Sequence, residues 1–191
     1  MRGQPDAVYV RRALNGDSSA FQALVSRYSG TIFALVLSHL GRKTDPEDVA
    51  QDVFLQGFRS LPNLKDPDKF GPWLYGIGKR VCLNCLRQRK NQKGQEIYFN
   101  ELADGTDFKD PGTAGGVDTP VHERMDLFDT IDSLQLIYRE VVTLRYLEDH
   151  SYGEIAEMLG ISESAVNVRL IKARRMIRER LERVERVSGR G

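Results

Sequence analysis

The chain has 191 residues, of which 28 are Lys or Arg and 27 are Asp or Glu, giving a formal net charge of +1. That length supports one core or two small ones, and 2 cysteines are too few for a disulfide scaffold. The longest wholly apolar run, Ile32–Leu37, is too short to cross a bilayer, and no apolar signal region opens the chain, so a cytoplasmic location is the expectation.

In chain order, the pattern predicts helices throughout and no strand. Ala7–Leu14 is a first short helix, ended by Gly16-Asp17, after which Asp17 or Ser18 can cap a second. Phe21, Leu24, Val25 and Tyr28 form one face of that second helix, and the more uniformly apolar Thr31–Leu40 is expected to be buried. After a turn at Gly41–Thr44, Asp45-Pro46 opens another helix, with proline at the first position, where its missing donor does no harm. Val49, Ala50, Val53, Phe54, Gly57 and Phe58 mark its buried face, whereas Asp48, Gln51, Asp52 and Leu55 recur on a separate one. Leu61–Pro72 carries three prolines and a glycine and reads as mostly loop, and Trp73–Arg89 reads as helix. Residues 91–122 are polar and rich in Gly, Pro and Asp, the composition of a flexible linker. From Asp126 on, helix is expected to the end of the chain, through Leu134 and the Val141, Val142, Leu144 core.

The near-zero net charge is the sum of opposed segments. Lys79–Lys93 holds six basic residues and no acid, Glu96–Asp132 holds ten acids against Lys109 and Arg124, and Arg169–Arg186 holds eight basic residues against Glu179, Glu182 and Glu185. Two basic patches around an acidic segment suggest two places where a polyanion is held.

The second basic patch lies on a motif with a specific layout. Ser151 with Glu154 is a capping-box signature. Ile155, Ala156 and Leu159 give that helix one apolar face, and Gly160 stops it. Ser162 caps a long second helix on which Val166, Leu170, Ile177, Leu181 and Val184 form the core stripe. A short helix, a glycine turn and a second helix is the layout that sets a recognition helix into a DNA groove. Asn167, Val168, Ile171, Lys172 and Arg175 share the stripe facing away from the core. Asn, Lys and Arg reach base edges or phosphates, Val and Ile pack on thymine methyls, and Arg169 and Arg174 beside the stripe suit phosphates. Ser164, at the start of this helix, belongs to the same candidate surface.

Three stretches in order, DPEDVAQDVFLQGFRSL from Asp45, FGPWLYGIGKRVCLNCLRQRK from Phe70 and LIYREVVTLRYLEDHSYGEIAEMLGISESAVNVRLIKARRMI from Leu136, together resemble a bacterial sigma factor of the sigma-70 family. The short form with two domains is similar to the extracytoplasmic-function (ECF) group. The resemblance implies an all-α fold with region 2 over residues 1–90, an acidic flexible linker over 91–122 and region 4 over 123–187. It implies a transcription initiation factor that binds core RNA polymerase, recognises −10 and −35 promoter elements and assists melting. Asp48, Gln51 and Asp52 match the polar face that grips the clamp helices of the polymerase β′ subunit, and region 4 is expected at the flap of the β subunit. Lys79, Arg80, Arg87 and Arg89 would line the −10 element. The Leu61–Pro72 loop resembles the family's pocket for a flipped-out base, with Phe70 and Trp73 as aromatic candidates. Asn167, Val168, Ile171 and Lys172 would read the −35 duplex, and an anti-sigma factor is the further expected partner. Gln135 stands where relatives often carry proline.

Other classes fit less of the chain. An autonomous helix-turn-helix regulator explains the C-terminal motif but neither the Asp48/Gln51/Asp52 helix nor the proline-rich loop leading into Trp73 and a basic helix. Gly76-Ile77-Gly78-Lys79 superficially resembles a phosphate loop, yet Trp73 sits where the first glycine belongs and Arg80 follows the lysine, so no enzyme is expected. Cys82 and Cys85 form a lone C-x-x-C without two further ligands for zinc, and His39, His122 and His150 are scattered; neither a metal nor a cofactor is expected.

Overall fold

A computed structural model describes residues 4–41, 45–92 and 127–188, the side chains of 90–92, 128 and 184–188 apart, and among these the structure is helix and turn without strand. The helices are α1 (Asp6–Leu14), α2 (Ser18–Leu40), α3 (Pro46–Ser60), α4 (Phe70–Gln92), α5 (Leu127–Asp132), α6 (Leu136–Tyr146), α7 (Tyr152–Leu159) and α8 (Glu163–Ser188). Two 3-10 turns, Leu61–Asn63 and Pro67–Lys69, join α3 to α4.

Local chemistry sets most of these boundaries. Asp17 is the N-cap of α2, accepting from the amides of Ser19 and Ala20. Asp45 caps α3 by accepting from the Glu47 amide, with Pro46 in the first turn. The capping box at α7 is complete in both directions, and Gly160 ends that helix at φ 68° and ψ 36°, a left-handed conformation that costs any residue with a Cβ. Helix α4 starts at Phe70 and ends at Gln92, so it is longer at both ends than the Trp73–Arg89 pattern predicts. The Leu61–Pro72 stretch is two tight turns and the first turn of α4 rather than loop, because Pro62 and Pro67 suit the starts of 3-10 turns and Asp66 caps the second. The stretch from Asp126 on is broken into four helices, with α5 and α6 separated at Ser133–Gln135. Of the linker expected over 91–122, residues 91 and 92 belong to α4 and the rest lies outside the described residues.

Helix α2 organises the core. Ten of its residues are buried, among them Leu24, Ile32, Leu35 and Val36. By length and composition it could cross a membrane; here it is covered instead by α1, α3, α4 and α6. Helix α1 is fastened to it by Asp6, which accepts from both Arg27 and Tyr28. In the C-terminal half, Val141, Val142 and Leu144 of α6 pack with Ile155 of α7 and with Val166, Leu170 and Ala173 of α8. The two halves touch: α6 lies on α2, and α7 lies on α4.

Candidate functional site

Helix α3 presents the first candidate surface. Val49, Ala50, Val53 and Gly57 turn inward, which leaves Asp48, Gln51 and Asp52 exposed along one face. Among the described residues neither aspartate pairs with a cation. The same face runs on into Leu55 (46 % exposed) and Phe58 (50 %). Phe58 was expected inside; it is covered on one side only, edge-on to Phe21 at 4.9 Å between ring centroids. A row of free carboxylates that ends in two exposed apolar side chains suits a partner helix with basic and apolar groups in matching order.

The second surface is a shallow cleft of about 580 Å³ between the α3–α4 turns and α7, lined by Asn63, Leu64, Lys65, Asp66, Lys69, Pro72, Trp73 and Glu157. Asp66 fixes its rim, its carboxylate accepting from the Asp68 amide at 3.1 Å. Of the two aromatic candidates only Trp73 reaches the cleft. Phe70 is fully buried, 5.4 Å from the Tyr28 ring and 5.8 Å from that of Trp73, so it is a core residue that positions Trp73 rather than a stacking surface. Trp73, Arg80 and Arg87 follow one another at seven-residue steps, so one stripe of α4 leads from the cleft along the basic part of the helix. Arg80 is exposed, Lys79, Arg87 and Arg89 are half-buried, and the Lys79 ammonium lies 5.8 Å from the Tyr75 ring centroid.

The third surface is the outer face of α8. The Ser162 hydroxyl accepts from the Ala165 amide at 3.2 Å and lies 2.8 Å from the hydroxyl of Ser164, in the first turn of the helix. Val166, Leu170 and Ala173 are fully buried beneath it. Asn167, Val168, Ile171, Lys172 and Arg175 all stand in solvent, with Val168 50 % and Ile171 55 % exposed. Such apolar exposure on a basic helix is what contact with base methyls needs. Arg174 donates to the Tyr146 hydroxyl at 2.6 Å and lies over that ring, a contact that raises its pKa and fixes its guanidinium beside the stripe. Arg169 is half-buried, and Arg175 pairs loosely with Glu179 at 3.5 Å.

Cys82 is fully buried, and burial, with the nearby Cys85, pushes its thiol up to about 12, far from a reactive thiolate. Among the described residues no group of His, Cys, Asp or Glu side chains could hold a metal ion.

Glu157 at the cleft was invisible to sequence reasoning, as was a seam of polar contacts between the two halves. His39 of α2 meets Glu140 of α6 at 3.0 Å, and the Tyr75 hydroxyl of α4 donates to the same carboxylate oxygen at 3.3 Å. The only signal for it was a pair of polar residues, Ser38-His39, at the end of an apolar helix.

Comparison with known proteins agrees with this layout. The model of sigma-70 region 2 matches residues 24–92 and that of sigma-70 region 4 matches residues 124–177. The chain is 33% identical over 187 residues to the ECF RNA polymerase sigma-E factor of Haemophilus influenzae, covering 93% of this chain and 95% of that protein. Identity to the ECF RNA polymerase sigma factor SigW of Bacillus subtilis is 26% over 182 residues, with 90% and 94% covered. Among solved structures, CnrH in complex with the cytosolic domain of CnrY shares the fold at a TM-score of 0.63 and 24% identity, over 94% of this chain and 98% of that one. The sigma factor RpoE of Bartonella quintana, in complex with the anti-sigma factor NepR, does so at 0.57 and 19%, over 84% and 95%. With both regions matched in order and a relative this similar along nearly its whole length, the chain belongs to the ECF group of the sigma-70 family, non-catalytic subunits that direct RNA polymerase to promoters.

Proposed function

We propose a division of labour among the three surfaces. Residues 1–90 act as region 2, with Asp48, Gln51 and Asp52 docking on the clamp of the β′ subunit and Leu55 and Phe58 extending that contact. The cleft beside Trp73 receives an unstacked base of the −10 element, and Lys79, Arg80, Arg87 and Arg89 hold the adjoining backbone. Residues 123–187 act as region 4 at the flap of the β subunit. There Asn167, Val168, Ile171 and Lys172 read the −35 duplex, and Ser164, Arg169, Arg174 and Arg175 hold its phosphates. The residues between supply a tether, supported by the positions of the two family matches at 24–92 and 124–177. A factor with these partners works in the cytoplasm, where the polymerase is. The solved complexes of CnrH with CnrY and of RpoE with NepR support an anti-sigma factor as a further partner.

The observation that carries this reading is the α3 face, on which carboxylates without a cation among the described residues run into the exposed Leu55 and Phe58. Run-off transcription with purified core polymerase on genomic promoter fragments tests the whole. The double substitution Asp48→Ala with Asp52→Ala should weaken competition for core polymerase by on the order of tenfold while the thermal midpoint stays put. Unchanged competition would remove the docking face.

A further inference from the structure

Tyr146 is the last residue of α6, and 53 % of its surface is exposed. Its hydroxyl accepts from Nε of Arg174 at 2.6 Å, and the guanidinium carbon lies 5.7 Å from its ring centroid. Neighbouring arginines are held differently. Arg145 pairs with Asp149 at 3.4 Å and Arg175 with Glu179 at 3.5 Å, whereas among the described residues no carboxylate meets Arg174. A carboxylate orients a guanidinium and cancels its charge. A hydroxyl orients it and leaves the charge whole, which is what a cation waiting for an anion requires. We propose that Tyr146 is a positioning residue for promoter DNA, holding Arg174 toward one backbone phosphate at the edge of the −35 duplex. The proposal rests on the reading of α8 as the −35 helix and adds to it a residue from outside that helix.

The placement of Arg174 on α8 points to a phosphate rather than a base. Asn167, Ile171 and Arg174 follow one another at steps of four and three residues, so they lie in one line along the helix. At a rise of about 1.5 Å per residue, Arg174 stands about 10 Å beyond Asn167. The major groove is about 12 Å wide. When the N-terminal part of a recognition helix lies over base edges, the end of such a line therefore reaches the sugar–phosphate rim. With Nε committed to Tyr146, the N–H bonds of the two terminal nitrogens remain, and these fit the two non-bridging oxygens of a phosphodiester. Tyr146 is in turn carried by α6, which packs on α8. An arginine held in place before binding loses less side-chain freedom on contact, so the tyrosine contributes by preorganisation.

The test uses holoenzyme assembled from core polymerase and the full chain. It is bound at low temperature to a promoter fragment that carries the −35 duplex, with a fragment ending downstream of that element as control. Tyr146→Phe keeps the ring beside the guanidinium and removes the hydroxyl. It should weaken binding about three- to tenfold on the longer fragment and leave the control fragment unaffected. Arg174→Ala should lower the slope of log affinity against log salt concentration by about 0.9, the loss of one phosphate contact. In the Arg174→Ala chain, Tyr146→Phe should weaken binding no further. A lowered thermal midpoint with unchanged affinity would make the contact a staple between α6 and α8 and overturn the proposal. Equal weakening by Tyr146→Phe with and without Arg174 overturns it too, because the tyrosine would then act on its own. Lys172→Ala on the same fragments separates the two readings. If it weakens binding and Tyr146→Phe does not, the −35 reading stands without Tyr146; if neither does, both readings fall.

Discussion

The α7–α8 turn and the α3–α4 turns are both short connections that place candidate DNA contacts, yet they are built differently. The first is held by neighbours in sequence: Ser151 and Glu154 close the capping box, the Ile161 amide donates to the Ala156 carbonyl at 3.0 Å, and Gly160 supplies the left-handed residue. The second is held from a distance. Phe70 is locked under the turns by Tyr28, and the far wall of the cleft is Glu157 on another helix. A connection made of local contacts keeps its shape in any docked state of the molecule. One that borrows a wall from elsewhere changes shape when that wall leaves. The α8 stripe proposed to read −35 is therefore a preset surface, and the cleft proposed for the −10 base is a conditional one.

The largest expected effect strikes the conditional side. Phe70→Ala removes a fully buried ring between Tyr28 and Trp73 and should cost about 3–5 kcal/mol in denaturant unfolding. Trp73 loses its support in the same step, so initiation at promoters that need −10 melting should fall in folded samples at low temperature too. A cost under about 1 kcal/mol would mean that the turns hold themselves without Phe70, and the contrast with α7–α8 would vanish.

On the preset side the effect belongs to recognition rather than stability. Lys172→Ala touches an exposed residue and should leave the unfolding midpoint unchanged. Initiation should weaken by roughly 1–3 kcal/mol if Lys172 contacts a base, and selectively among −35 sequences. An equal loss on every −35 sequence would make it a phosphate contact, and the reading of the stripe would shift to Asn167, Val168 and Ile171.

The same contrast explains what could be read from the chain alone. Asp17, Asp45-Pro46, Ser151 with Glu154, and Gly160 are legible because a cap satisfies backbone groups within a few residues of itself. The exposed stripe on α8 follows from helical periodicity. The resemblance places Phe70 among the stacking candidates, but its burial depends on Tyr28, on a different helix, which the local sequence does not reveal. Helical spacing places Phe58 in the core because it follows Phe54 by one turn, but Phe21 covers just one of its faces. Glu140 and His39 lie 101 positions apart and carry no pattern that links them. The lone polar pair Ser38-His39 ending an apolar helix was a sign that something polar would meet it, without saying what.

Ser151→Ala tests whether the preset turn is as local as its contacts suggest. It should cost about 1 kcal/mol and leave −35 selectivity unchanged, since Gly160 and the Ser162 cap remain. The partner Glu154 has its pKa lowered by the hydrogen bonds from the Ser151 side chain and backbone. A depressed carboxylate stabilises the folded state above its unfolded pKa, and that contribution is lost as pH falls below the usual glutamate range. Ser151→Ala should therefore flatten the acid limb of the stability profile. An unflattened limb would place the source of acid sensitivity in other carboxylates, Asp17 first, whose pKa is held at about 2 by Ser19 and Arg12.

The smallest effect is a gain. Gln135 precedes α6 at φ −57° and ψ 146° with no side-chain cap bond, so it holds the backbone angle that a proline ring imposes while contributing nothing as a cap. Gln135→Pro should stabilise the fold by about 0.4–1 kcal/mol through the unfolded chain, raising the thermal midpoint. The substitution also restricts Leu134, whose carbonyl accepts from Arg139 at 2.8 Å, and Arg139 in turn reaches the end of α2. If the midpoint rises while the chain stays compact in scattering, the α5–α6 junction is as locally determined as the α7–α8 turn. If the midpoint falls and the chain expands, Leu134 needs a conformation that proline forbids, and the junction belongs with the cleft among the parts whose shape depends on how the two halves are docked.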